Sequence, residues 1–335
     1  MARSLIPSDR TPVAVIGVGE HGRHHARILR GLPQADLVGV YDLDRERAEA
    51  VAGELDCRCF ESLDQALRSV RAVSVVIPTS DHAQVAQLAF DAGVDVLLEK
   101  PISRTIEEAN ELAERAEREA RILQIGHLER FNPGVVAARK VTRSPMFFEV
   151  HRLGVFSSRS LDVDVVFDLM IHDLDLVLWM VESPVQDVRA VGLAVLSDKI
   201  DIANARVEFA SGAVANLTAS RVSTEKVRKF RYFQPNAYIS VDFSRRDALL
   251  IRVDRSGENP EVGFQKLETE PADPLQAELL AFVQSVETRR PPLVGGPEGR
   301  AALALAERVM DCIEQHAARV QMHLGGRAIG HPGEN

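Results

Sequence analysis

From Thr11 to about Gly126, short β-branched runs alternate with amphipathic stretches, the pattern of a parallel sheet wrapped by helices. Residues 13–16, 37–41, 73–77, 94–98 and 122–125 read as buried strands, and 45–54, 83–92 and 106–120 as helices between them. After Asn132-Pro133-Gly134 the alternation stops. A helical stretch over 165–180 is followed by extended segments at 188–195, 203–209, 213–221, 228–233, 238–243 and 249–253, which predict a largely antiparallel sheet. Two helices close the chain, 274–286 with Asp273 as cap and Pro274 in the first turn, and 297–315. The pattern predicts an α/β doubly wound domain over residues 1–128. An α+β domain with a large, mostly antiparallel open sheet follows over 129–335, its C-terminal helices returning over the chain.

The length of 335 residues agrees with two cores rather than one. With 45% hydrophobic and 27% charged residues and no low-complexity tract, the chain is expected to fold throughout. A net charge of −9 argues against a nucleic-acid surface. The basic and aromatic run Arg228-Lys229-Phe230-Arg231-Tyr232-Phe233 fits a strand with one polar and one packed face. No apolar stretch resembles a signal peptide or reaches membrane-spanning length, so a cytoplasmic protein is expected. Cys57, Cys59 and Cys312 cannot all pair and show no zinc-type spacing; reduced thiols and no metal are expected.

Chemistry concentrates where the predicted parallel strands end. Gly17-Val18-Gly19-Glu20-His21-Gly22 follows the first strand and opens a helix, and Asp42 ends the second strand. This is a dinucleotide fingerprint: the glycines allow a tight turn, the helix N-terminus faces a pyrophosphate, and Asp42 accepts from the adenine ribose hydroxyls. A carboxylate there repels a 2′-phosphate, so NAD is favoured over NADP, against the nearby Arg45 and Arg47. Pro78, Thr79 and His82 lie after the next strand, where His82 either lines the cofactor cleft or starts a helix in solvent. Glu99-Lys100-Pro101 ends the fourth long apolar run and presents Lys100 where a nicotinamide is expected, with Pro101 biasing the lysine toward extended geometry. Asp168 and His172 stand one helical turn apart, with Asp173 and Asp175 as competing carboxylates.

These motifs, together with His25-Ala26 after the glycine turn, resemble the glucose-fructose oxidoreductase and inositol dehydrogenase family over nearly the entire chain. The resemblance implies that Lys100, Asp168 and His172 meet over the nicotinamide as the catalytic set, with NAD as cofactor. Asp162-Val163-Asp164 replaces a glycine run common in the family, and Met170 a glycine between the aspartate and the histidine; both are expected to reshape the substrate pocket. With residues 126–133 and 151–154, this stretch looks like a subgroup that oxidises the 3-hydroxyl of UDP-N-acetylglucosamine. That subgroup implies an aminotransferase acting on the 3-keto product, in the synthesis of 3-amino sugars for lipid A. Proton transfer from the hydroxyl falls to His172, oriented by Asp168, with Lys100 polarising the oxygen, or to the same residues with roles exchanged. Arg130, Arg152, Arg159 and Arg221 are candidates for the diphosphate, and Asp164 for the sugar. The alternatives are a dehydrogenase of a free sugar, inositol or polyol, and a non-catalytic nucleotide sensor on the same fold. The open sheet predicts pairing into a homodimer or homotetramer.

Overall fold

Val13, Val15, Val73, Val75, Val96 and Leu98 are completely buried, as strands covered on both faces require. In the computed structural model, which describes residues 10–156, 163–256 and 259–323, they belong to one parallel six-stranded sheet. Its strands are β1 (Thr11–Ile16), β2 (Ala35–Tyr41), β3 (Arg58–Cys59), β4 (Ala72–Val75), β5 (Asp95–Leu98) and β6 (Leu123–Ile125). Their order is β3-β2-β1-β4-β5-β6, which reverses direction at β1. The connecting helices are α1 (Glu20–Gly31), α2 (Arg45–Leu55), α3 (Leu63–Leu67), α4 (Thr79–Asp91) and α5 (Ile106–Arg118). Polar side chains start several of them: Asp44, Ser62 and Thr105 each accept a backbone N–H of the following first turn.

The expected strands and helices of this half are present. The unit, however, does not end its recruitment at the sheet. It comprises the described residues up to Phe131 together with 272–301, so α8 (Pro274–Thr288) belongs here and not to the second domain. The reason is its apolar stripe: Leu275, Leu279, Phe282, Val283 and Val286 join a core with Val13, Leu29 and Leu37. Asp273 caps the helix through the N–H groups of Leu275 and Gln276, as its sequence predicts.

The second unit comprises the described residues of 132–271 and those from 302 onward. Asn132-Pro133-Gly134 is a helix start: Asn132 accepts from the Gly134 N–H and Pro133 occupies the first turn of α6 (Pro133–Val141). An eight-stranded sheet follows, from β7 (Phe147–Leu153), β8 (Val185–Leu193), β9 (Ile202–Phe209), β10 (Val214–Ser220), β11 (Val227–Gln234), β12 (Ala237–Asp242), β13 (Asp247–Asp254) and β14 (Glu261–Lys266). Their order is β14-β13-β12-β11-β7-β10-β9-β8; every pairing is antiparallel except β7 with β10. One face packs on α7 (Ile171–Val181) and on Ala302, Leu305, Ala306 and Val309 of α9 (Gly296–His323).

Two buried polar arrangements brace this unit. Arg152 on β7 points inward and forks onto Asp173 of α7, Nε to Oδ2 at 2.9 Å and Nη2 to Oδ1 at 2.7 Å, with its guanidinium 4.8 Å from the Phe243 ring centroid. Removing one member of such a pair costs about 3–5 kcal/mol, because the other charge is left unpaired. Asp201, fully buried, accepts N–H bonds from Val195, Leu196 and Ser197 and the Ser197 hydroxyl. Burial opposes its ionisation, but those donors prevail and lower its pKa.

A carboxyl with a depressed folded-state pKa stabilises the fold above the unfolded value, about 3.9 for Asp, and that contribution disappears as pH falls through the folded value. Asp201→Asn is therefore expected to lower stability at neutral pH and to flatten the loss of stability below about pH 4. Urea unfolding of both proteins across this range checks it; an unchanged acid slope would contradict the assignment.

Candidate active site

The glycine turn is built on a backbone that admits no side chain. Gly17 has φ +84°, and a Cβ there would lie 2.2 Å from the Val76 carbonyl oxygen; one on Gly22 would lie 1.9 Å from the Gly17 oxygen. The turn therefore presses α1 against the sheet. Above Gly19, by contrast, a Cβ would meet nothing within 4 Å, which leaves the helix N-terminus open to an approaching group. Asp42 closes the turn: its Oδ2 accepts the Val18 N–H at 2.7 Å and its Oδ1 the Asp44 N–H at 2.9 Å. Arg47 reaches the same carboxylate at 3.5 Å and Asp44 at 2.9 Å.

Beside the turn lies a cavity of about 430 Å³ lined by Gly17, Gly19, Asp42, Arg47, Pro78 and Leu88, among others. Its mostly apolar walls, with the Asp42 carboxylate at the end of β2 and Asp81 on α4, fit an adenosine moiety, and the unobstructed space over Gly19 fits a pyrophosphate. The residues present thus suit a dinucleotide.

At the ends of β4 and β5 the polar groups interlock. His82 is buried rather than solvated: Nδ1 lies 2.8 Å from the Pro101 oxygen and Nε2 3.0 Å from the Ile77 oxygen, so the ring ties the end of β4 to the turn after Lys100. Burial pushes its pKa down. The Lys100–Pro101 peptide is cis, and Lys100 is half-buried. Glu99 Oε1 lies 3.2 Å from His21 Nε2 and 3.3 Å from His25 Nε2, and the two imidazole nitrogens are 3.2 Å apart. Burial opposes the charge on Glu99, but the hydrogen bonds from His21 and His25 hold its carboxyl well below the usual carboxylate range. The bond to Glu99 raises the pKa of exposed His21, whereas burial lowers that of His25. His25 Nδ1 in turn lies 2.8 Å from Ser74 Oγ on β4.

In the second unit, Asp168 sits in a π-helical turn (Val166–Met170) that leads into α7, whose second residue is His172. The widened turn departs from the simple i, i+4 face that the spacing predicts, since a π turn closes i→i+5 bonds. Asp164 starts it, its carbonyl accepting from Phe167 and Asp168, while its carboxylate accepts the Ile200 N–H at 2.8 Å.

The arginines named for a diphosphate differ in place. Arg152 is committed to Asp173 inside the core. Arg130 is buried in the first unit, 3.4 Å from the Leu293 oxygen. Arg221 donates to the Val163 oxygen and lies 3.6 Å from Asp201. Arg159 and Asp162 lie outside the described residues. Ser74 and Glu278 escaped the sequence reading. Glu278 is fully buried on α8, and burial, with Glu99 adding to it, raises its carboxyl pKa well above normal. A buried acid within an apolar helix stripe was the one available hint.

A parallel sheet with a glycine turn, a carboxylate at the end of β2 and polar residues along its C-terminal edge defines a dinucleotide-binding oxidoreductase. Residues 11–127 match the model of an oxidoreductase family with an NAD-binding Rossmann fold, and residues 141–237 match the GFO/IDH/MocA C-terminal domain; the chain belongs to the Gfo/Idh/MocA family. It is 41% identical over 311 residues to the UDP-N-acetylglucosamine 3-dehydrogenase of Acidithiobacillus ferrooxidans, covering 91% of this chain and 98% of that enzyme. A solved structure of that enzyme has a TM-score of 0.85 at 40% identity, over 91% of this chain and 98% of the other. The inositol 2-dehydrogenase of Rubrobacter xylanophilus is 32% identical over 196 residues, 56% of each chain. No described helix is long and apolar enough to cross a membrane.

Asp42 is expected to make NAD bind more tightly than NADP. Asp42→Ala should weaken NAD by about tenfold or more, the usual effect of losing hydrogen bonds to a charged group. Fluorescence titration with both reduced cofactors checks this, and tighter NADPH binding by the unsubstituted protein would overturn it.

Proposed function

We propose that this protein is an NAD-dependent dehydrogenase that oxidises the 3-hydroxyl of UDP-N-acetylglucosamine to a ketone. The observation that carries this reading is the 41% identity to the Acidithiobacillus enzyme over 91% of this chain, and the chain carries Glu99-Lys100-Pro101, Asp168 and His172 for the chemistry. NAD, when bound, supplies the acceptor for the hydride that leaves the carbinol carbon. The residues of the chain manage the proton and the oxygen. In this reading His172 takes the hydroxyl proton, Asp168 orients the imidazole, and Lys100 donates to the same oxygen and polarises it. The half-buried position of Lys100, behind a turn that His82 anchors, supports a fixed rather than a mobile ammonium. Asp164 is assigned to the sugar side, where its backbone starts the turn carrying Asp168.

A 3-keto sugar nucleotide is a substrate for an aminotransferase, which we infer as the next step and as the means of drawing an unfavourable oxidation forward. A cytoplasmic location follows from this reading, since NAD and nucleotide sugars are found together there. Self-association is also part of the proposal. Phe147, Phe233, Tyr238, Ile251 and Phe264 are register partners in one row across five strands of the second sheet. Phe233 and Phe264 are 39% and 71% exposed, an apolar stripe suited to the same stripe on a second copy.

Incubation with NAD and UDP-N-acetylglucosamine, with an aminotransferase and amino donor present, should generate NADH and a product of 3-amino sugar nucleotide mass. Lys100→Met should lower turnover by about 10²–10⁴-fold with NAD affinity nearly unchanged. Absence of product under this pull, with NADH formed from inositol or a free sugar instead, would replace the reading with the polyol dehydrogenase. Light scattering at micromolar concentration should give a dimer or larger, and Phe264→Glu should shift it toward monomer; a wild-type monomer would sink the association.

A further inference from the structure

The geometry points to a zinc-class divalent cation site formed by His21, His25 and Glu99. Among the described residues these three bring their ligand atoms within 4.8 Å of one another. The two histidines are spaced i, i+4 on α1, which aims both rings to one side of the helix, and Glu99 arrives from the end of β5. Two histidines one turn apart on a helix with a carboxylate from another element form the His₂Glu donor set that zinc accepts.

The separations fit a metal polyhedron. A tetrahedral zinc with bonds of about 2.0–2.1 Å holds its ligand atoms about 3.3–3.4 Å apart. The three observed edges are 3.2, 3.2 and 3.3 Å, a near-equilateral face. A cation 2 Å from each atom therefore stands just off that face with little side-chain movement.

The surroundings are those of a supported site. Ser74 Oγ lies 2.8 Å from His25 Nδ1 and can accept its N–H in the metal-binding tautomer, which frees the Nε2 lone pair for the cation. Gly126 leaves room for the carboxylate: a Cβ there would come within 3.0 Å of both Glu99 oxygens. Lys100 N–H donates to Glu99 Oε2 at 3.3 Å, leaving Oε1 for the cation. His25 is fully buried while the His21 side chain is 49% exposed, so the fourth position opens to solvent and accepts a water. Without metal the three groups hold together by hydrogen bonds, His21 donating to Glu99.

The full-length protein, stripped with EDTA and equilibrated with micromolar Zn²⁺, is expected to retain one zinc per chain; Co²⁺ in its place should show the visible bands of a four-coordinate ion. His21→Ala, on an exposed side chain, should keep the circular dichroism spectrum and lose both. Ser74→Ala should weaken zinc by about tenfold, the effect of losing a group that orients a ligand. Failure of the unsubstituted protein to retain zinc would leave a hydrogen-bonded cluster only. Retention undiminished by His21→Ala would assign the metal elsewhere, such as Cys57 and Cys59. Either result overturns the proposal.

Discussion

The parallel pairing of β1 with both β2 and β4 is the constraint on which the first unit depends. Because the chain winds outward in both directions from β1, the loops after β1 and β4 diverge and leave a crevice at the C-terminal edge of the sheet. The residues of the candidate cofactor site stand on that edge: the glycine turn after β1, Asp42 after β2, His82 after β4, Glu99 and Lys100 after β5. The strands themselves are lined chiefly by buried valine, alanine and leucine. Thr11, Ser74, Asp95 and Gln124 are buried polar exceptions; Ser74 is a hydroxyl in a central strand, and its partner is the one histidine buried on α1.

The buried strands of this unit were legible because both faces of each are covered, which leaves uninterrupted apolar runs. The second sheet was legible only in part. β7 lies at its centre yet reads poorly, because the inward position that alternation reserves for an apolar residue holds Arg152, and the group that neutralises it is twenty-one residues away on α7. β14 was missed for the opposite reason: all six of its residues are exposed, so no burial period marks it. α8 was recognised as a helix, but an apolar stripe does not say which core will receive it. The π turn was equally illegible, since one residue's difference in hydrogen-bond span leaves no compositional trace.

The site was read with a similar mixture. The glycine spacing, Asp42 and Lys100 carried their reasons in the sequence, because each depends on one loop. His82 left two readings open, and its burial between two carbonyl oxygens removes the one that placed it in solvent. The grouping of His21, His25 and Glu99 depends on how α1 lies against β5, a relation that only the folded sheet supplies. Arg152 shows the converse, a guanidinium suited by type to phosphate but occupied inside the protein.

That occupied arginine also acts on the helix it holds. An apolar pair of equal volume in its place is often neutral or stabilising, so the ion pair does little for stability that packing would not do. What it supplies is phase. α7 buries Ile171, Leu174, Leu176 and Val177 against the sheet, and apolar burial is non-directional, so it does not by itself fix the rotation of a helix. A rotation or one-turn slide would strand two charges in the core, so the fork onto Asp173 selects one setting. His172 is the preceding residue, and its bearing on the helix is thereby keyed to β7.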